Sequence, residues 1–287
     1  MTTATTTTIT AAVLRSGVTR GLIEFRQSFS GVELIGQLFW PLVTLGTIYF
    51  FRDRSIDAGE VTLGTMMFPG VLGMFVAFGM VLVIQLLAAD REDGTLLRAK
   101  ATPGGIPSYL VAKLVNVSLS IVVYLLMVAV PGSFLVDGLG TANPRAWLTL
   151  LWVLVLGMAA TQLLGAALGS MVSGPRAVSY ISLVVMALTA VSGIFYPLAA
   201  MPVWLQWVGQ ASPIYWLGLG MRSGLLPDAA AASEVTGSWR TWETVGALSA
   251  WTMLGLAIAP LLLRRMARRE CGSRVADRRD RALQRIA

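Results

Sequence analysis

Residues Leu63–Ala89 read LGTMMFPGVLGMFVAFGMVLVIQLLAA, without one charged side chain, and Asp90-Arg-Glu-Asp-Gly94 follows at once. A bilayer core of ~30 Å is crossed by roughly 20 apolar residues in a helix, so this run is long enough to span. The abrupt change to charge marks where it leaves the hydrocarbon. Pro69, Gly70 and Gly73 near its start predict a kink or an irregular beginning.

Scanning outward from that run, the same criterion finds five more, giving spans at about 34–51, 63–89, 109–136, 147–172, 180–196 and 244–263. Composition agrees. Of 287 residues, 55% are hydrophobic and 13% charged, and mean hydropathy is +0.71. A soluble domain carries about 25% charged residues because its surface faces water. The fold class is therefore an all-α polytopic membrane protein with six transmembrane helices.

Net charge is +7, but the basic residues lie between and after apolar runs, which points to membrane topology and away from nucleic acid. With six spans, the side holding the N-terminus, the 90–108 loop with Lys113, the 173–179 loop and the C-terminus carries seventeen Lys and Arg, the other side five. Both termini are thus expected in the cytoplasm, with the chain in the inner membrane. Residues 266–287 form a basic cytoplasmic tail. The Thr-rich residues 1–13 lack the apolar core of a signal peptide and read as a disordered tail.

Leu14, Val18, Leu22, Phe25, Phe29 and Val32 recur at spacings of three and four, with Arg15, Thr19, Arg26, Gln27 and Ser30 between them. One apolar stripe flanked by basic groups predicts an amphipathic helix lying on the cytoplasmic interface, against membrane lipids. A buried seventh helix would have to accommodate Arg15, Arg20, Glu24 and Arg26.

Between the fifth and sixth spans, residues 197–222 are apolar but broken by Pro197, Pro202 and Pro213. Trp204, Trp207, Tyr215 and Trp216 suit a membrane interface. Short re-entrant helices dipping in from the outer side satisfy both features.

Several chemistries find no residues. No phosphate-cradling G-x-x-x-x-G-K-[ST] run is present, and neither Lys100 nor Lys113 follows a glycine. Cys271 is the only cysteine and histidine is absent, so neither a disulfide nor a zinc site is expected. The spans hold no interior Asp, Glu or His for a proton relay; Gln37, Gln85, Asn116 and Gln162 are their polar residues, and Gly165-x-x-x-Gly169 offers close helix packing.

The 90–103 loop carries the most specific pattern. Asp90, Arg91, Glu92, Asp93, Gly94, Thr95, Leu96, Leu97, Arg98, Ala99, Lys100, Ala101, Thr102 and Pro103 form a short charged element, followed by Lys113. Acids crowd its start and bases follow, the order a helix dipole favours.

Here the chain resembles the permease subunits of type-2 ABC exporters, including the daunorubicin-resistance type. Their loop after the second span reads roughly E-R-E-x-G-T-L-E-x-L-x-x-T-P. Asp90, Arg91, Glu92, Gly94, Thr95, Leu96, Thr102 and Pro103 match in register; Leu97 replaces an acid, and Ala99 with Lys100 replaces bulky apolar residues. A second stretch, Ser192-Gly-Ile-Phe-Tyr-Pro-Leu-Ala-Ala-Met-Pro202 with Ser212-Pro213 and Met221-Arg222, is similar to the family's exit from the fifth span. The resemblance covers about residues 14–265, the transmembrane domain.

That resemblance implies a non-catalytic subunit of an ATP-driven exporter of hydrophobic or amphipathic drugs, antibiotics or lipids. Two copies of a separate ABC ATPase, which use ATP and Mg, and a second permease copy or paralogue would be its partners; no cofactor binds the chain itself. Asp90, Arg91, Glu92, Gly94, Thr95, Leu96 and Pro103 would form the element that docks on the ATPase, and substrate would leave past residues 197–222. An ion-coupled secondary carrier and a non-transporting membrane scaffold are the alternatives.

Overall fold

A computed structural model of the chain describes residues 2–52, 62–102, 104–140, 143–172, 174–196 and 198–269, with side chains from Ala11 onward except at Leu63. Pro103, Pro197, Cys271 and the tail from 270 onward lie outside the described residues. All regular elements among the described residues are helices: α1 Thr2–Ser28, α2 Glu33–Phe51, α3 Leu63–Glu92, α4 Thr95–Lys100, α5 Gly105–Leu135, α6 Pro144–Met171, α7 Pro175–Val191, α8 Val203–Ala211, α9 Pro213–Leu225 and α10 Thr241–Arg269.

Local chemistry sets the ends of these helices. The Thr62 hydroxyl accepts from Thr65 N at the start of α3, and the Asn143 side chain accepts from Arg145 N at the start of α6. Ser212 does the same for Ile214 N, with Pro213 in the first turn of α9. Gly94 at φ +78° and Gly104 at φ +65° turn the chain at either side of α4. Gly105 has no alternative, since a Cβ there would stand 1.9 Å from the Ala99 carbonyl oxygen.

The bundle is built around α3. Phe68, Val76, Ala77, Val83, Ile84 and Leu87 are buried along it. Helix α6 crosses against it through small residues: a Cβ on Gly165 would meet Met80 O at 2.6 Å, and one on Gly169 would meet Ile84 Cα at 3.1 Å. This is the close packing that the glycine spacing predicts. Helix α10 lies on α6 at Gly255, where a Cβ would reach Leu163 Cβ at 2.6 Å.

The outer surface is apolar. Ile35, Phe39, Trp40 and Phe50 on α2, Tyr180, Leu183 and Val184 on α7, and Leu256 and Leu261 on α10 are all exposed. So broad an apolar surface is not that of a water-soluble monomer. Helices α2, α3, α5, α6 and α10 are long and apolar enough to cross a membrane. Helix α7 is apolar but has only 17 residues, so length and composition establish five candidate spans and a shorter apolar helix.

Three expectations change. The segment read as a disordered tail at 1–13 continues α1 back to Thr2, because residues 2–13 contain neither glycine nor proline to end a helix. The fifth span, expected at 180–196, is the helix 175–191: Pro175 starts it, and Gly193 at φ +70° turns the chain away after Ser192. Helix α3 is continuous from Leu63 to Glu92, with Pro69 inside it. Close contact requires glycine at one of its positions: a Cβ on Gly70 would stand 2.0 Å from Ile194 O. The third span also starts earlier than 109, at Gly105.

Candidate coupling site

The 90–105 element sits at one end of the bundle and has two faces. Asp93 ends α3, its N–H bonding Ala89 O at 3.1 Å, and its carboxylate accepts from Thr95 N at 2.8 Å. Gly94 reverses the chain, and α4 then runs for six residues with Leu96 (1% exposed) and Ala99 (4%) turned into the core. Glu92, Asp93, Arg98, Lys100, Ala101 and Thr102 face outward. The Arg98 guanidinium donates to the Thr95 hydroxyl at 2.9 Å.

Asp90 and Arg91 point the other way. Arg91 is buried and donates to the Val172 carbonyl, where α6 ends. Asp90 accepts from Tyr109 OH at 2.6 Å and pairs with Lys113 Nζ at 2.8 Å. The same ammonium pairs with Glu24 Oε2 at 2.8 Å, and Arg20 Nε holds Glu24 Oε1 at 3.0 Å. Two acids and two bases thus tie α1, α3 and α5 together beside α4. With Lys113 only 4% exposed, its charge is supported by two carboxylates and by the Tyr109 ring, 5.5 Å away. Of the residues singled out for coupling, then, Glu92 lies on the surface, Asp90, Arg91 and Leu96 anchor it from beneath, and Gly94 with Thr95 shapes the turn. Pro103 is outside the described residues.

Helix α1 lies lengthwise on α5. A Cβ on Gly17 would meet Val111 Cβ at 2.7 Å, and one on Gly21 would meet Ala112 O at 2.7 Å. The two glycines therefore form the packed face. Leu14 and Val18 of the apolar stripe remain exposed, while Phe25 and Phe29 are half-buried, and Phe29 stands 6.1 Å from the Tyr124 ring. Sequence reading missed the part played by Arg20, Glu24 and Tyr109. The available signals were the i,i+4 spacings Arg20–Glu24 and Tyr109–Lys113.

At the far end of α3, the proline-broken stretch forms a 3-10 turn and two short helices, α8 and α9. Pro202 stands just before α8, whose Trp204 and Trp207 are 65% and 73% exposed. Trp216 is buried on α9, donating to Gln210 O at 2.8 Å under the Arg240 guanidinium, 4.7 Å from its ring. Arg222, singled out in the sequence only within the family-like Met221-Arg222 pair, forms a buried pair with Glu234 at 2.6 Å. Burial, and next the Glu234 carboxylate, raise the pKa of the Tyr215 phenol, so it stays a neutral O–H group. Ile194, fully buried, reaches Gly70, Gly73 and Gly218 at once.

An apolar helical bundle with an outward-facing charged element tied into it defines a multi-pass membrane protein. Residues 14–226 match the family model for the ABC-2 type transporter, and the chain belongs to that family. It is a permease subunit of an ABC transporter, a transport component without catalysis of its own, in a family that pairs generally with an ABC ATPase. No curated protein matches the chain.

Proposed function

We propose that the chain is the membrane subunit of an ATP-driven exporter of hydrophobic or amphipathic molecules, in the manner of the daunorubicin-resistance type. It crosses the inner membrane six times, with α7 as the short fifth span and both termini in the cytoplasm. It pairs with a second permease and with two ATPase subunits that bind ATP and Mg.

One observation carries the reading: the exposed 92–102 surface is fastened from beneath to three long helices through Asp90, Lys113 and Glu24. A push on that surface is delivered to α1 and α5 together, because the Lys113 ammonium cannot follow one carboxylate without straining the other. Closure of the ATPase pair would then tilt the spans. At the opposite end α8 and α9 form the outer exit, with Trp204 and Trp207 at the membrane surface and α1 along the inner interface.

The test is export into inverted membrane vesicles. Transport should require the partner ATPase and ATP and should survive collapse of the proton gradient. Loss of export on adding an uncoupler, with ATP still high, would instead select an ion-coupled carrier. Trp204→Ala or Trp207→Ala should lower export while leaving ATPase binding intact, since the exit lies at the other end of the bundle.

A further inference from the structure

A groove of about 600 Å³ opens beside the charge network, bounded by α1, the first turn of α2, α4 and the foot of α5. Its charged lining is balanced: Glu24, Glu33 and Asp90 against Arg20, Arg98 and Lys113. Glu24, Asp90 and Lys113 are engaged with one another. What remains for a visitor is the Glu33 carboxylate and the N–H groups of Arg98 that the Thr95 hydroxyl does not take, since the Thr102 hydroxyl already donates to Ala99 O at 2.9 Å. Asn116 lines the same groove; it is 4% exposed and its Oδ1 accepts no hydrogen bond. A buried acceptor left without a donor is costly, so the groove is unfinished as it stands.

The missing group must carry N–H or O–H donors for Asn116 Oδ1, positive charge toward Glu33 and an acceptor-rich anion toward Arg98. A zwitterion with a primary ammonium and a phosphate has this pattern, and the balanced lining matches its zero net charge. The place favours a lipid source. Glu33 opens α2, a candidate span, and the exposed apolar Val32 and Ile35 stand next to it in the chain. We propose that this groove binds the phosphoethanolamine headgroup of a phospholipid in the adjoining leaflet. Choline lipids share the charge pattern but offer no N–H to Asn116, so the site discriminates between the two. The proposal goes beyond the transport reading and needs no ATPase contact.

The permease is purified in mild detergent, alone and with its ATPase, and lipid retention is read by native mass spectrometry after exchange into equal phosphatidylethanolamine and phosphatidylcholine. Wild-type chain should keep the ethanolamine lipid by about tenfold, a free-energy preference within reach of one buried hydrogen bond and one ion contact. Asn116→Leu should bring that ratio close to one. Glu33→Gln, an exposed change that leaves the core untouched, should lower it severalfold even if Asn116→Leu folds poorly, and Gln85→Leu should leave it unchanged. Displacement by soluble glycerophosphoethanolamine supports headgroup recognition; persistence of the intact lipid against it, with the variants still sensitive, supports recognition of headgroup and chains together. Equal retention of both lipids, or a ratio indifferent to both groove variants, would overturn the proposal. So would release of the lipid whenever the ATPase binds, which would make the groove a protein-docking socket. Pull-down of the ATPase, read separately, reports on the transport reading alone.

Discussion

The Nε of Arg222 lies 2.6 Å from Oε1 of Glu234, and the two side chains are 3% and 2% exposed. The same guanidinium donates through Nη1 to Gly193 O at 2.8 Å and to Ile194 O at 3.3 Å. One side chain thus joins α9, the turn after α7 and the segment before α10. Removing one partner of such a buried pair strands the other charge, at about 3–5 kcal/mol, whereas replacing both by apolar residues is often near neutral. Arg222→Ala should therefore lower the unfolding temperature in detergent sharply, and Arg222→Met with Glu234→Leu should recover much of the loss. Equal losses in the single and double variants would show that the pair is not what holds these segments.

Lys113 separates binding from coupling. It is buried, so Lys113→Met cannot remove a contact with an ATPase, yet it leaves Asp90 without its cation and Glu24 with Arg20 alone. ATP-dependent export should fall by about tenfold or more, the effect of ~1.4 kcal/mol or greater on a conformational step, with pull-down of the ATPase retained. Lys113→Arg should restore part of the export, because the charge returns with a different shape. Parallel loss of both readouts would place Lys113 in a purely structural role.

Glu92 and Gly94 test the docking surface itself. An exposed residue without a partner protein tolerates truncation within ~0.5 kcal/mol. In a buried, hydrogen-bonded interface pair, Glu92→Ala should cost roughly 2–5 kcal/mol of ATPase binding. Gly94→Val should also weaken docking, since a β-branched residue at φ +78° is held in strain of about 1–3 kcal/mol. Wild-type pull-down and ATP hydrolysis in both variants, at normal permease levels, would remove the 90–103 element from the coupling role.

Two glycines predict opposite outcomes for the same substitution. Gly70→Ala places a Cβ 2.0 Å from Ile194 O, a backbone atom that cannot step aside alone. The 193–195 turn must shift, and thermal stability in detergent should drop. Gly36 on α2 has nothing within 4 Å of where a Cβ would stand, so Gly36→Ala should be neutral or stabilising by up to about 1 kcal/mol through helix propensity. Similar stability of the two variants would contradict the close approach of α3 to the turn.

Topology can be read with cysteines. The expected orientation rests on seventeen basic residues against five. An impermeant thiol reagent should label Ser238→Cys in intact cells, whereas Ala101→Cys and the native Cys271 should react only after lysis. Labelling of Ala101→Cys from outside would invert the orientation.

Much of the architecture was legible because its causes are local. Apolar runs of bilayer length mark α2, α3, α5, α6 and α10, and prolines at 202 and 213 mark the start of short helices. Boundaries slipped where a turn was hidden inside apolar sequence: Ser192-Gly-Ile-Phe-Tyr196 is as hydrophobic as a span, yet Gly193 at φ +70° takes it out of the helix. Helix α1 was legible as amphipathic, but its packed side was not. Gly17 and Gly21 carry no hydropathy signal, and they matter only because α5 approaches so closely.

The sequence by itself determined that this chain is a helical membrane protein, roughly where its five long apolar helices fall, and that residues 90–103 are a charged element between two of them. Those properties follow from composition and periodicity read over a few turns at a time. Tertiary structure alone decided that Asp90 and Arg91 turn inward while Glu92 turns outward, that Arg222 finds Glu234, and that Lys113 joins Glu24 to Asp90. Lys113 and Glu24 are 89 residues apart. Charge attracts opposite charge without regard to position in the chain, so many pairings are open to these residues. The close packing of α1 on α5 through Gly17 and Gly21 brings Lys113 and Glu24 within reach of each other.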